Sequence, residues 1–232
     1  MDRSKIAAGL AVLVLMVNSA LGIDPDENGV FRITTPRAVD GSVGQGTAFV
    51  IDQDGEALYL ATAFHVVESQ GGAIYSGAAY TLDNDTIKDM PKVTVVATDA
   101  KADLAVVKCK TTRKFKPLAL AFVEDMADID KVGFSYTPSN KRIEFFGYAS
   151  GVWTKTSGRL SFAYDQQVFS DATMAPGQSG GPAVSDGRIV GVNSGGSGWY
   201  SADEQRDRDV TWPARIGSAK RLKEILDWAK TR

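Results

Sequence analysis

Ser179 lies in the stretch GQSGGP at residues 177–182, a hydroxyl with glycines on both sides. A serine hydroxyl is a poor nucleophile until a neighbouring base takes its proton. The usual base is an imidazole, and the chain has one histidine, His65, in the stretch LATAFHVV. The order of the two residues is informative. Residues 177–181 fit the G-x-S-x-G pattern of the α/β-hydrolase nucleophile elbow, in which the histidine follows the serine. Here it precedes the serine, so that fold is excluded. A second arrangement for acyl transfer runs histidine, aspartate, serine. Asp103, in KADLAVVKC, lies between His65 and Ser179, with Asp99 as a rival carboxylate four residues earlier.

The elements that must position these residues read as short strands. Val30–Thr34, Thr47–Ile51, Ala57–Thr62, Ala78–Leu82, Val93–Thr98 and Leu104–Lys108 form a first set. Lys131–Tyr136, Arg142–Gly151, Arg159–Tyr164, Gln167–Phe169, Ala183–Ser185, Arg188–Asn193 and Asp209–Trp212 form a second. They are rich in Val, Ile, Phe, Tyr and Thr and are bounded by turn residues. Asp54-Gly55 predicts a tight hairpin turn. Two runs of about six strands predict an all-β fold of two antiparallel six-stranded barrels. The first barrel covers about 28–110 and the second, with a C-terminal helix, about 119–230. The basic stretch KTTRKFKP at 110–117 reads as the linker between them, with an anionic partner as the sharper alternative. Ser218 is the expected helix cap, and Ile216, Leu222, Ile225, Leu226 and Trp228 give the apolar stripe of an amphipathic helix packed on its own domain.

Composition narrows the classes of function. A net charge of −2 supplies no basic field for nucleic acid. One Cys and one His make no zinc site, no EF-hand spacing appears, and no cofactor is expected. Residues 1–22 differ in kind: Arg3 and Lys5 precede an apolar run from Ile6 to Val17, and Ala20-Leu21-Gly22 supplies small residues for cleavage after Gly22. This is the pattern of a secretory signal peptide, with an uncleaved N-terminal anchor as the alternative. The run is short for a membrane span, so stable membrane contact is expected only if it stays uncleaved. Cys109 has no partner for an internal disulfide and reads as a buried strand thiol. A secreted or periplasmic bacterial protein, or a viral one, fits this best. Nothing in the sequence fixes an oligomeric state.

Several local sequences together resemble one family, the chymotrypsin-like serine proteases. LATAFHVV resembles that family's histidine turn, DLAVVK its aspartate stretch and GQSGGP its serine loop. GRIVGVNSGG and TWPARIGSAKRLKEIL resemble the strands that follow the serine and the C-terminal helix, so the likeness spans the chain from about residue 28. The resemblance implies an endopeptidase acting on protein or peptide substrates in the cleft between the barrels. His65 would be the general base, Asp103 its orienting carboxylate and Ser179 the nucleophile, with the backbone N–H groups of Gly177 and Ser179 as the oxyanion hole. Asp103 is preferred to Asp99 because it directly precedes the apolar strand. A catalytically silent, protease-like binding module and an esterase with the same triad remain alternatives.

The departures also carry information. Gln178 stands where trypsin-type zymogens have an aspartate that pairs with a freed N-terminus, so activation by N-terminal insertion is not expected. The pattern is closer to bacterial HtrA-like and glutamyl-endopeptidase-like proteases and their viral relatives, without a PDZ domain. Phe64 stands where the family most often has a small residue, and its bulk could obstruct the catalytic turn. Thr173 falls where the family places the base of the primary pocket, and Ser194, Gly195 and Gly196 where it places a substrate-binding wall. With no acid at 173, the expected preference is for an uncharged side chain before the scissile bond.

Overall fold

The computed structural model describes residues 23–35, 43–68, 80–122, 135–136, 141–164, 167–196 and 214–232. The first six strands are β1 (Val30–Thr34), β2 (Gln45–Asp54), β3 (Ala57–Thr62), β4 (Thr81–Asp83), β5 (Thr94–Asp99) and β6 (Leu104–Lys110). They form one sheet in the order β4-β1-β2-β3-β6-β5. An antiparallel bridge between Tyr80 and Val93, each just before an edge strand, joins the two ends and closes the barrel. The Asp-Gly turn is present: Asp54 pairs with Ala57 across Gly55, whose φ is +60°.

Strands β2, β3 and β6 are buried on both faces, which accounts for their nearly unbroken apolar runs. Side chains alternate across a strand, and here the two faces enter different cores. Ala48, Val50, Leu58, Leu60, Ala105 and Val107 fill the barrel interior. Their neighbours Phe49, Ile51, Tyr59, Ala61, Leu104 and Val106 join Phe146, Tyr148, Val184 and Val192 in a second core shared with the other half of the chain. The halves are therefore fused by a hydrophobic layer.

The second half contains β7 (Ser135–Tyr136), β8 (Arg142–Ala149), β9 (Val152–Tyr164), β10 (Gln167–Ser170), β11 (Pro182–Ser185), β12 (Arg188–Gly196) and β13 (Ala214–Ser218). Its order is β10-β13-β12-β11-β8-β9-β7, and β10 also pairs with β9. That pairing closes a six-stranded ring, with β7 added as a seventh strand on β9. Ile143, Phe145, Leu160, Val190 and Ile216 are among the residues filling it. The strand expected over Arg142–Gly151 ends at Ala149, because Ser150 and Gly151 take φ values of +49° and +82° and form a two-residue turn. The next strand then starts at Val152, well before Arg159, through a stretch whose Thr, Lys and Ser content hid it. The expected strand Asp209–Trp212 lies outside the described residues, as do most of Lys131–Tyr136 and the start of Ala78–Leu82.

Residues 111–119 run between the barrels along the first one. Lys116 pairs with Glu27, Arg113 with Asp89, and Lys114 donates to the Gly55 carbonyl, so the cations of this strap meet acids and carbonyls of their own barrel. The helix α2 (Ala219–Lys230) follows β13, and the Ser218 hydroxyl caps it by accepting from the Arg221 N–H at 3.2 Å. Its buried face is Ala219, Leu222, Ile225, Leu226 and Ala229. Two members of the expected stripe fall elsewhere: Ile216 is in β13, and Trp228 is 47% exposed. Alanines at 219 and 229 complete the stripe instead, allowing close approach to the sheet. No helix among the described residues is long and apolar enough to cross a membrane. The N-terminal segment lies outside the described residues.

Candidate active site

His65 is carried on the single turn α1 (Phe64–Val67), directly after β3. Asp103 closes the turn before β6 and meets His65 twice. The backbone N–H of His65 donates to Asp103 Oδ1 at 2.9 Å, and the ring Nδ1 lies 2.8 Å from Oδ2. A carboxylate can only accept, so this contact requires the proton on Nδ1, and in the neutral ring the lone pair then sits on Nε2. Asp103 has a φ of +53°, and the N–H of Phe64 donates to its carbonyl at 3.2 Å. Aspartate tolerates this left-handed backbone better than most residues. The Phe64 ring packs against the core of the first barrel, so its bulk goes inward.

The Asp103 side chain is 6% exposed. Burial alone would raise its pKa, but hydrogen bonding and charge from His65, the Ser194 hydroxyl and the His65 backbone N–H outweigh that and hold it below the ordinary carboxylate value. Asp99 is committed elsewhere. It lies 2.5 Å from Arg221 of α2 and accepts from the Ala102 N–H at 3.0 Å. Its pKa is also lowered: these bonds overcome the upward push of burial.

The serine loop spans Ala175–Gly181, between β10 and β11. Its carbonyls are pinned one after another. The Ser150 N–H donates to the Pro176 carbonyl at 2.9 Å. The Gln178 carbonyl accepts from the Gly181 N–H at 3.0 Å and from Asn193 Nδ2 at 2.9 Å. In a trans peptide the following N–H points opposite to the carbonyl. The N–H groups of Gly177 and Ser179 are thereby turned away from these internal partners, and neither finds an acceptor among the described residues. Gly177 meets the geometry with a φ of +94°, and a Cβ there would collide with the Tyr148 carbonyl.

Gln178, fully buried, braces the loop. Its Oε1 accepts from the Ala175 N–H at 2.9 Å and its Nε2 donates to Thr154 Oγ1 of β9 at 3.1 Å. Thr47 of β2 reaches across from the first barrel. Its hydroxyl donates to the Gly177 carbonyl at 2.8 Å and accepts from the Tyr148 N–H at 3.0 Å, while its own N–H donates to the Ser179 carbonyl at 2.8 Å.

Strand β12 brings the two parts of the site together. The Ser194 hydroxyl bonds Asp103, and a Cβ at the next residue, Gly195, would stand 3.5 Å from Ser179 Oγ. Ser194 is thus buried against the aspartate, with its side chain off the substrate wall, while Gly195 faces the serine. Gly196 pairs with Ala214 of β13, and Thr173 is exposed beside the serine loop. Thr47, Thr154, Asn193 and Arg215, whose guanidinium donates to Asp103 Oδ2 at 3.2 Å, are site-building residues that sequence reasoning missed. Asn193 was detectable only as part of the NSGG stretch; the others carry no local signal. Among the described residues no cluster of His, Cys, Asp and Glu is arranged to hold a metal ion.

Two closed barrels, with a histidine–aspartate pair on the first and a glycine-rich serine loop on the second, make up the fold and the candidate site. The sequence profile of the trypsin-like peptidase domain family matches residues 46–192, and the chain belongs to that family. A serine endoprotease from Yersinia pestis is similar in structure, with a TM-score of 0.61 at 17% identity over 88% of this chain and 63% of that one. An HtrA-type protease, AlgW, solved with a tripeptide, superposes with a TM-score of 0.60 at 20% identity, over 87% of this chain and 60% of that one. The chain spans about three fifths of the length of these two structures. No curated protein matches the sequence significantly.

Proposed function

We propose that the protein hydrolyses peptide bonds in protein or peptide substrates through Ser179, His65 and Asp103, by way of an acyl-enzyme. The carrying observation is the two-point grip of Asp103 on His65, which fixes the tautomer needed for a base. His65 Nε2 takes the Ser179 proton as Oγ bonds to the scissile carbonyl carbon. The carbonyl oxygen becomes an oxyanion and accepts from the N–H groups of Gly177 and Ser179, each such donor contributing roughly 3–4 kcal/mol. The imidazolium, stabilised by Asp103, gives its proton to the leaving amine. Water then repeats the sequence and releases the acyl group.

Family membership and the unpaired N–H groups of the serine loop support this reading over a silent binding module. A fluorophosphonate is expected to label the wild-type protein at Ser179, and Ser179→Ala to lower peptide cleavage about 10⁴-fold or more. Undiminished labelling of Ser179→Ala would sink the assignment. The absence of an acid at Thr173 supports an uncharged side chain before the scissile bond, testable with a peptide library. The apolar run Ile6–Val17 supports export by a signal sequence to the periplasm or medium, testable by N-terminal sequencing.

A further inference from the structure

Arg215 of β13 reaches the far side of the Asp103 carboxylate. Its Nη2 donates to Asp103 Oδ2 at 3.2 Å, and its Nε donates to Ser194 Oγ at 3.1 Å. A guanidinium has no acceptor, so Ser194 Oγ must use its lone pair on Arg215 and its own proton on Asp103. The hydroxyl that braces the aspartate is therefore aimed by Arg215. Oδ2 takes three donors, His65 Nδ1, Ser194 Oγ and Arg215 Nη2, and one of them carries a permanent charge.

We infer that Arg215 is a positioning residue that sets the acid limit of the activity by sharing Asp103 with His65. The inference rests on the triad reading above. A lone carboxylate would favour the protonated imidazole with its full charge. With Arg215 on the same oxygen, part of that charge is already balanced, and the carboxylate attracts an imidazolium less. The charged residues nearest the pair in the chain are Asp99, held by Arg221 of α2, Lys101 two residues before Asp103, and Glu68 three residues after His65. Arg215 alone of the described cations touches the carboxylate. Its side chain is 34% exposed, so its influence is screened in part, and removing the charge should move the acid limb by about 0.5–1 pH unit.

The test compares kcat/KM for peptide cleavage against pH in wild type, Arg215→Lys and Arg215→Gln. The expected result is an acid limb shifted to higher pH in R215Q and nearly unmoved in R215K, with the high-pH plateau kept within about tenfold. An unmoved limb in R215Q, or equal shifts in both variants, would overturn the inference; a merely structural arginine would lower the plateau at every pH. The imidazole Cε1–H resonance of the single histidine gives a second readout that needs no turnover. Measured in Ser179→Ala, its titration midpoint should rise in R215Q and stay in R215K. That readout separates the two proposals. A shifted signal together with a wild-type protein that fluorophosphonate never labels at Ser179 removes the triad reading and keeps the charge coupling. Labelling with no shift does the reverse. Should R215Q fail to fold, Arg215→Met, which keeps length and loses charge, carries the same expectation.

Discussion

Replacing Thr47 with valine keeps the side chain's shape and removes one oxygen. In the folded protein that oxygen bonds both the Gly177 carbonyl and the Tyr148 N–H. Tyr148 is 1% exposed, so its N–H would be left buried without a partner, at a cost of about 1–3 kcal/mol. The Gly177 carbonyl is only partly buried and loses a bond worth about 0.5–1.5 kcal/mol. The backbone bonds of Thr47 to Ser179 and Thr62 remain, so the sum is about 1.5–4.5 kcal/mol. In a domain of this size that corresponds to a fall in Tm of about 5–15 °C by calorimetry. Activity should fall further than stability alone explains. Gly177 supplies one proposed oxyanion donor, and full loss of such a donor costs about 10²–10³ in rate. Loss of its anchor should cost about 10–100-fold, in kcat and not KM, measured well below the new Tm. Thr47→Ser keeps the hydroxyl and should recover most of both losses. A Thr47→Val protein within about 0.5 kcal/mol and twofold of wild type would refute the view that this hydroxyl holds the serine loop.

Gly180 has a φ of +87°, and a Cβ there would overlap the Thr47 carbonyl and the Thr62 hydroxyl. Gly180→Ala should cost more than about 4 kcal/mol and leave little soluble protein, whereas Gly55→Ala, at φ +60° in open space, should cost about 1–2 kcal/mol. Equal Tm values for the two variants would contradict this. Asp99 and Asp103 both ionise below the ordinary value of 3.8 when folded. Their contribution to stability is complete above about pH 4 and is lost as pH falls through the folded values. Asp99→Asn should therefore be less stable than wild type at pH 7, by about 1–2 kcal/mol, and lose less on acidification to pH 3. Urea midpoints at the two pH values measure this, and parallel losses would count against it.

The parts legible in the sequence are those set by local pattern. Strands β1 and β3 were bounded to the residue, because Val, Ile, Leu and Tyr alternate between turn signals. Ser218 reads as a cap because its hydroxyl directly precedes an amphipathic run. The start of β9 was not legible: Thr154, Lys155 and Ser157 resemble a loop, and only pairing with β8 makes them a strand. The apolar stripe read from the sequence includes Ile216 because a 3.6-residue period continues by chance into β13, and Trp228 because its apolar type conceals a position off the buried face of α2. At the site, His65 and Asp103 could be singled out by order, and the structure brings them together. The contacts that aim the serine loop could not be read. Thr47 lies more than a hundred residues from Gly177, and nothing local marks it. The same holds for Arg215, whose meaning depends on strand β13 crossing beside Ser194.

The span of Thr47 across the two barrels also governs when the site can form. A chain made from its N-terminus presents His65 and Asp103 first, in a barrel able to close on its own strands. The Gly177 carbonyl is held by a first-barrel hydroxyl, and Ser194 and Arg215 reach Asp103 only from the second barrel. A nascent or truncated chain therefore carries His65 and Asp103 without the serine loop, and a detached second half carries Ser179 without its brace. The complete arrangement forms only when one half docks on the other, so the proposed peptide cleavage should arise last.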